Sequence, residues 1–191
     1  MENIHLDETF DKIDYRQKSL PKGEYESCTF TNCDFSNSNL TDVQFLECEF
    51  INCDLSLAKL TRTALRDVRF KECKMLGLQF GTCNEFGLSF GFVGCKLQNA
   101  SFYKTKIKKT VFESCDLEEA DFSSADLSGA VFDDCNLRSA MFEETNLEKA
   151  DLRNAHNYII NPEKNRIKKA TFSLHGLPGL LMKYDIVVRV D

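Results

Sequence analysis

The sequence predicts an all-β solenoid, a four-sided tube wound in steps of five residues. Three observations carry that prediction. From about residue 25 to residue 172 a large apolar residue recurs at every fifth position, with a small residue two places before it. Neither a helix nor a strand has a period of five. The period is held far longer than any single element lasts, which means coils that bury nothing alone and must stack on one another. Cysteine then gives the number of steps per coil, because stacked residues share an environment and tend to share a type. Among the nine cysteines, five pairs lie 20 apart (Cys28/Cys48, Cys33/Cys53, Cys53/Cys73, Cys95/Cys115 and Cys115/Cys135), whereas only Cys33/Cys48 lies 15 apart. Four pentapeptides per coil are favoured over three, with Phe30, Phe50 and Phe70 in one column and Phe102, Phe122 and Phe142 in another.

The chain reads as a single domain of 191 residues in successive zones. Residues 1–24 are predicted to be a cap, Met1 to Leu6, followed by a degenerate first coil in which Phe10, Tyr15 and Leu20 are in phase with Tyr25. Residues 25–80 form a first repeat block whose large residues run from Tyr25 through Phe50 to Phe80. Over residues 81–96 the register slips by two residues and Glu85 falls where a core residue is due. Two readings of that slip are open: a bulge or corner rearrangement that uses its glycines, or an exposed apolar spot made by Phe86, Phe90 and Phe92. A second block, residues 97–172, restarts at Leu97. The repeat chemistry lapses around Asn157–Asn165, yet Phe172 follows Leu152 by four pentapeptides, one coil, as expected of an atypical terminal coil. In the tail, residues 173–191, Pro178 suits a helix start. A helix to about Tyr184 would carry Leu177, Leu181 and Tyr184 on one side with Leu180 adjoining, and Ile186, Val187 and Val188 read as a strand. Such a tail would cap the last coil and cover its strand edges.

The clearest run is Ala120-Asp-Phe-Ser-Ser, Ala125-Asp-Leu-Ser-Gly, Ala130-Val-Phe-Asp-Asp, Cys135-Asn-Leu-Arg-Ser. It resembles the pentapeptide-repeat family, whose consensus is a small residue, Asp or Asn, Leu or Phe, a polar residue and a variable one. The resemblance covers roughly three quarters of the chain. It implies a right-handed quadrilateral β-helix in which the central Leu or Phe and the small residue two before it point inward. The tail resembles the C-terminal segment of the quinolone-resistance (Qnr) branch of that family. That likeness implies an end-to-end homodimer through Leu177, Leu180, Leu181, Tyr184, Ile186 and Val188.

Composition excludes several function classes. There is no apolar run of about 18 residues, so no membrane span is expected, and Met1-Glu-Asn-Ile-His-Leu-Asp is too acidic and short for a signal peptide. A cytoplasmic protein is predicted. Eight of the nine cysteines sit at the small inward position and no pair has CxxC spacing, so buried free thiols are expected, with Cys83 the exception to look for. No cofactor, metal or catalytic centre is predicted. His5, His156 and His175 lie near the ends, away from any acid or nucleophile at motif spacing, and no phosphate loop or ligand cluster appears.

Charge is banded along the tube. Net charge is −8 over residues 1–55, +8 over 56–110, −9 over 111–155 and +3 over the remainder. At about 4.8 Å per coil, the second acidic band spans roughly 11 Å, a length over which duplex DNA carries about 6 charges. Qnr-like proteins imitate DNA and bind type II topoisomerases. The resemblance therefore implies DNA gyrase or topoisomerase IV as partner, modulation of quinolone action, and contacts through Asp116, Glu118, Glu119, Asp121, Asp126, Asp133, Asp134, Glu143 and Glu144. The basic belt, which includes Arg62, Arg66, Arg69, Lys71, Lys74, Lys96, Lys104, Lys106, Lys108 and Lys109, is unlike a uniform DNA mimic. It favours the alternative of a rigid interaction scaffold with another protein partner. Direct nucleic-acid binding ranks third, since the belt lacks interleaved aromatics outside the core and the protein is acidic.

Overall fold

A computed structural model of the chain describes residues 3–187 and 189. The chain winds as a right-handed, four-sided parallel β-helix of about eight turns. Its strands are short because each face holds only a few extended residues before the next corner. Asn3–Leu6, Gly23–Glu26, Gln44–Leu46 and Ala64–Arg66 form a 4-stranded sheet, and a 9-stranded sheet runs from Thr9–Asp11 to Thr171–Phe172. The remaining faces are stitched by isolated parallel bridges such as Asp34 to Asp54 and Ser101 to Asp121. Asn3–Leu6, expected as a cap, is already a strand paired in register with Gly23–Glu26.

Four inward columns fill the tube, one under each face. The first face carries Tyr25, Phe45, Leu65, Ile107, Leu127 and Leu147; the second carries Phe10, Phe30, Phe50, Phe70, Phe92, Phe112 and Phe132. The third carries Phe35, Leu55, Met75, Leu97, Leu117 and Leu137, and the fourth Leu40, Leu60, Phe80, Phe102, Phe122 and Phe142. Stacked phenylalanines of the second face lie 4.8 Å apart at Phe30/Phe50 and 4.9 Å at Phe112/Phe132, with nearly parallel rings. Rings of the fourth column meet them edge-on, as Phe102 meets Phe112 at 5.7 Å and 89°. Both geometries are favoured by the aromatic quadrupole.

Corners are made by the residue two after each large one, held in left-handed backbone: Asn32 at φ 53°, Asn52 at 51°, Glu119 at 59°. That conformation is unfavourable for an L-residue, and the cost is offset by hydrogen bonds to the next coil, as where Asn32 N–H donates to the Ile51 carbonyl at 2.9 Å. The aspartate of the repeat closes the same turn: Asp34 Oδ1 accepts from Ser36 N–H at 2.9 Å, and Asp121 Oδ1 from Ser123 N–H at 2.9 Å. This is the side-chain-to-backbone turn that short acids favour, and it explains the Asp in the consensus without reference to any partner.

Strand pairs lie one coil of four pentapeptides apart along the tube except once, where Phe70 pairs with Phe92, two positions late. The two extra residues are absorbed between residues 84 and 89. Asn84 N–H still donates to Thr63 at the usual offset, whereas Ser89 N–H reaches only to Leu65. Glu85 is exposed, and Leu88 packs on the core instead. Gly87, at φ +69°, makes the turn possible. Of the apolar spot read from Phe86, Phe90 and Phe92, only Phe86 is exposed; Phe90 and Phe92 are drawn into the core because their strand pairs between those of Phe70 and Phe112. Phe86 lies under the Arg66 guanidinium, 5.4 Å from the ring centre, a cation–π contact.

All nine cysteines are free and buried. Cys83 is no exception: it occupies the same inward small position as Val43 and Thr63, and burial pushes its thiol up to about 12. Burial likewise pushes Cys48 up to about 12. Cys33, Cys53, Cys73, Cys95, Cys115 and Cys135 form one column whose thiols donate to inward carbonyls, as Cys53 Sγ does to Phe30 at 3.3 Å. Thiols that no reagent can reach do not react. An aromatic disulfide reagent is therefore expected to titrate no thiol in the native protein at neutral pH and all nine in guanidinium; rapid native reaction of even one would contradict the packing.

At the C-terminal end, Ser173 Oγ accepts from Gly176 N–H at 3.1 Å, the helix Pro178–Leu181 follows, and Met182–Tyr184 tightens into a 3-10 turn. Leu180 closes on the core. The expected strand does not form over Ile186 and Val187, because no described sheet edge pairs with them; Val188 lies outside the described residues. No helix among the described residues is long and apolar enough to cross a membrane.

Candidate functional site

The acidic residues singled out in the sequence do not share one face. Asp126 lies on the first face, Asp133 and Asp134 on the second and its corner, and Asp116, Glu118 and Glu119 on the third and its corner. Asp121 and Glu143 lie on the fourth face, with Glu144 at the corner beyond it. A body docking on a single face would meet Glu119, Asp121, Glu143 and Glu144 together, over two adjacent coils. Asp133 and Asp134 point from the opposite side.

These acids also differ in how far they are committed to the tube. Asp116 is half-buried and accepts from Asn136 Nδ2 at 2.9 Å and from the Gln98 amide. Asp126 accepts from Asn146 Nδ2 at 2.9 Å and Ser128 N–H at 3.1 Å, and pairs with Lys108 at 3.4 Å. Burial works against its charge, yet these Ser128 and Lys108 partners hold its carboxyl below the usual carboxylate range. Such residues close turns and tie coils. Glu119, Asp133, Asp134, Glu143 and Glu144 are exposed and supply the outward field, although Glu143 shares a 3.1 Å ion pair with Lys164.

Inter-coil ion pairs also cross the borders of the charge bands. Arg62 pairs with Asp42 at 2.7 Å, Lys74 with Asp54 at 3.0 Å and Lys108 with Asp126 at 3.4 Å. Part of the basic belt is thus neutralised by the acidic bands that flank it. Among the described residues of the belt Arg66, Arg69, Lys71, Lys96, Lys104, Lys106 and Lys109 have no carboxylate partner. A further acid, Asp151, is set apart: hydrogen bonds from the Arg153 guanidinium hold its carboxyl down at about 2, against the opposing effect of burial. A depressed folded pKa stabilises above the unfolded value near 3.9 and is lost as pH falls towards 2. The destabilisation caused by Asp151→Asn, measured by denaturant titration, is accordingly expected to be largest at pH 7 and to shrink between about pH 4 and pH 2.

Sequence reasoning missed a depression on the second face, centred on Gly91. Outward positions in that column are filled by Glu49, Arg69 and Val111 in neighbouring coils, so the glycine deepens an open groove of about 850 Å³ that runs over Val68, Phe90 and Phe92. Val93 and Val111 beside it are 40% and 43% exposed. The signal was a glycine at a position where the repeat carries a side chain.

At the end of the tube Leu177, Tyr184 and Ile186 are exposed as a dimer contact requires, joined by Leu174, Met182 and Val187, while Leu180 and Leu181 are partly covered. Leu180 serves the core first.

Comparison with known proteins agrees with this architecture. The family described as pentapeptide repeat region matches residues 24–91 and 88–157. A trypsin-treated form of QnrB1, a plasmid-mediated fluoroquinolone resistance protein, superposes with a TM-score of 0.64 at 19% identity, covering 98% of this chain and 100% of that one. Full-length QnrB1 gives 0.60 at 14% identity, covering 96% and 100%. HetL, a pentapeptide repeat protein involved in heterocyst differentiation regulation from the cyanobacterium Nostoc sp. strain PCC 7120, gives 0.53 at 16% identity, covering 91% and 87%. No curated protein sequence matches the chain.

Proposed function

Since the chain belongs to the pentapeptide-repeat family, we propose that it works without catalysis, as a rigid rod whose outward side chains bind another protein, and that this partner is a type II topoisomerase, DNA gyrase or topoisomerase IV. The observation that carries the reading is the exposed acidic group Glu119, Glu143 and Glu144, held on one face and its corners with coils at the strand spacing of about 4.8 Å. A protein surface that grips phosphates with Arg and Lys is attracted by such a field. The likeness in fold to QnrB1, a fluoroquinolone resistance protein, supports the same partner class and a modulation of quinolone action. The exposed apolar tail, Leu174, Leu177, Met182 and Tyr184, is suited to pairing two rods end to end.

The test is gyrase supercoiling against increasing protein, with and without a fluoroquinolone. Inhibition, or rescue from the drug, is expected, and Glu143→Lys with Glu144→Lys is expected to raise the amount needed by about tenfold or more, the loss of roughly two charge contacts. No effect at large molar excess of folded protein would overturn the topoisomerase reading. A second reading, a scaffold for a different protein, is favoured by the unpaired belt residues Arg69, Lys71 and Lys109, which a uniform DNA mimic would not carry.

A further inference from the structure

The second face changes character from one end to the other. Arg69 and Lys71 stand in one coil, Gly91 and Val93 in the next, Val111 and Glu113 in the third, Val131 and Asp133 in the fourth. It therefore reads basic, then apolar with a depression, then acidic, within about 14 Å of tube. We propose that this face binds a second copy of the chain, face to face and antiparallel, in a contact separate from the tail.

The arrangement follows from register. A twofold axis lying in the face and running along the strands reverses the order of the coils while keeping like positions opposite. Placed midway between the Gly91 and Val111 coils, it sets Val111 opposite the partner's Gly91, so that a half-exposed side chain enters the gap left by the missing one. The same axis sets Lys71 opposite the partner's Asp133, with Arg69 diagonal to it. Each contact occurs twice, because a twofold interface is isologous and closed. Lys71 is exposed without a carboxylate partner, and Asp133 is exposed with one hydrogen bond, from Asn154 at 2.7 Å. A twofold axis along the tube would instead set Arg69 opposite the partner's Lys71, which like-charge repulsion disfavours. Glu72 and Asp134, which the antiparallel arrangement brings level, sit at the corner of the face rather than on it.

The same axis sets Val93 opposite the partner's Glu113, one coil from Lys71, so the centre is apolar where Val111 meets Gly91 and charged beside it, within the ordinary anatomy of a protein interface. Four short coils are less than a standard interface area. The association is thus weak and sensitive to salt.

The experiment mixes isotopically labelled and unlabelled full-length protein at low salt, treats it with a carbodiimide, and maps cross-links by mass spectrometry. A Lys71–Asp133 link joining a heavy to a light chain is expected; within one chain these residues are three coils apart and out of reach. The link should fall at least fivefold in 0.5 M salt. It should also fall at least fivefold in Gly91→Phe, which fills the gap; a Cβ there meets only the Val111 carbonyl at 3.7 Å, so the variant keeps its fold. The double exchange Lys71→Glu with Asp133→Lys should retain it with the amine and acid reversed. Absence of any mixed link in the wild type, or a link indifferent to both Gly91→Phe and salt, would overturn the proposal. Neither result would bear on the tail contact or on gyrase.

Discussion

Phe112→Ala is expected to destabilise the protein by about 3–5 kcal/mol, the range for removing a fully buried phenylalanine from a core that collapses only in part. Phe112 is wholly buried, stacked on Phe92 at 5.2 Å and Phe132 at 4.9 Å, and met edge-on by Phe102 and Phe122. Alanine removes the ring and leaves four aromatic faces without a neighbour. The surrounding sheet is held by backbone bonds to coils on both sides, so it has little freedom to close the gap. Phe112→Leu is the control: leucine occupies the same column at Leu152, and the cost should be about 1.5 kcal/mol or less. Guanidinium unfolding reads both. A loss below about 1 kcal/mol for alanine would mean that the column is not the continuous ladder described.

The second large effect is expected at the tail. Gly179 and Gly176 lie against Tyr158; a Cβ at Gly179 would overlap the Tyr158 carbonyl and one at Gly176 the Tyr158 ring. Gly179 also accepts from Ile160 N–H at 3.0 Å, tying the helix to the last coil. Gly179→Leu should undock the helix, uncover Tyr158, Phe172 and Leu180, and cost about 2–4 kcal/mol locally. In a solenoid each coil contacts only its neighbours, so the loss should stay local. Hydrogen exchange is expected to accelerate at Ile160 and along Tyr158–Phe172 while the amides around Phe50 keep their protection. Unchanged protection at Ile160 would show that the tail docks by other means.

The winding and its columns were legible in the sequence because they rest on a repeat in which identical environments select similar residues. Cys53 over Cys33 and Phe50 over Phe30 are direct records of stacking. What was less legible depends on the third dimension. The acids at 116–144 are close in sequence yet wrap around four faces, and only stacking brings Glu143 over the face that Glu119 borders, one coil away. Whether an aspartate faces outward or closes its own turn is set by its place in the repeat and not by its identity: Asp126, before the large residue, is tied to Ser128, Asn146 and Lys108, whereas Asp133, after it, stands out. The slip at 85–88 was visible, but its outcome turned on which phenylalanines found a strand to pair with. Ile186 and Val187 have strand-like character and no partner edge, and propensity alone does not supply one.

The one coil that carries two extra residues makes this rod a ruler with an odd division. Elsewhere a coil could be removed or duplicated whole, as four pentapeptides between equivalent corners, and every side chain beyond the cut would keep its face and change only its height. Deleting one such coil from the second acidic band would carry Glu143 and the tail about 4.8 Å towards the belt without rotating them. A cut of the same length spanning the odd division would leave two residues in excess, and every face beyond would be reached two residues late. Length in this molecule is therefore adjustable in discrete steps on either side of the slip, and fixed across it.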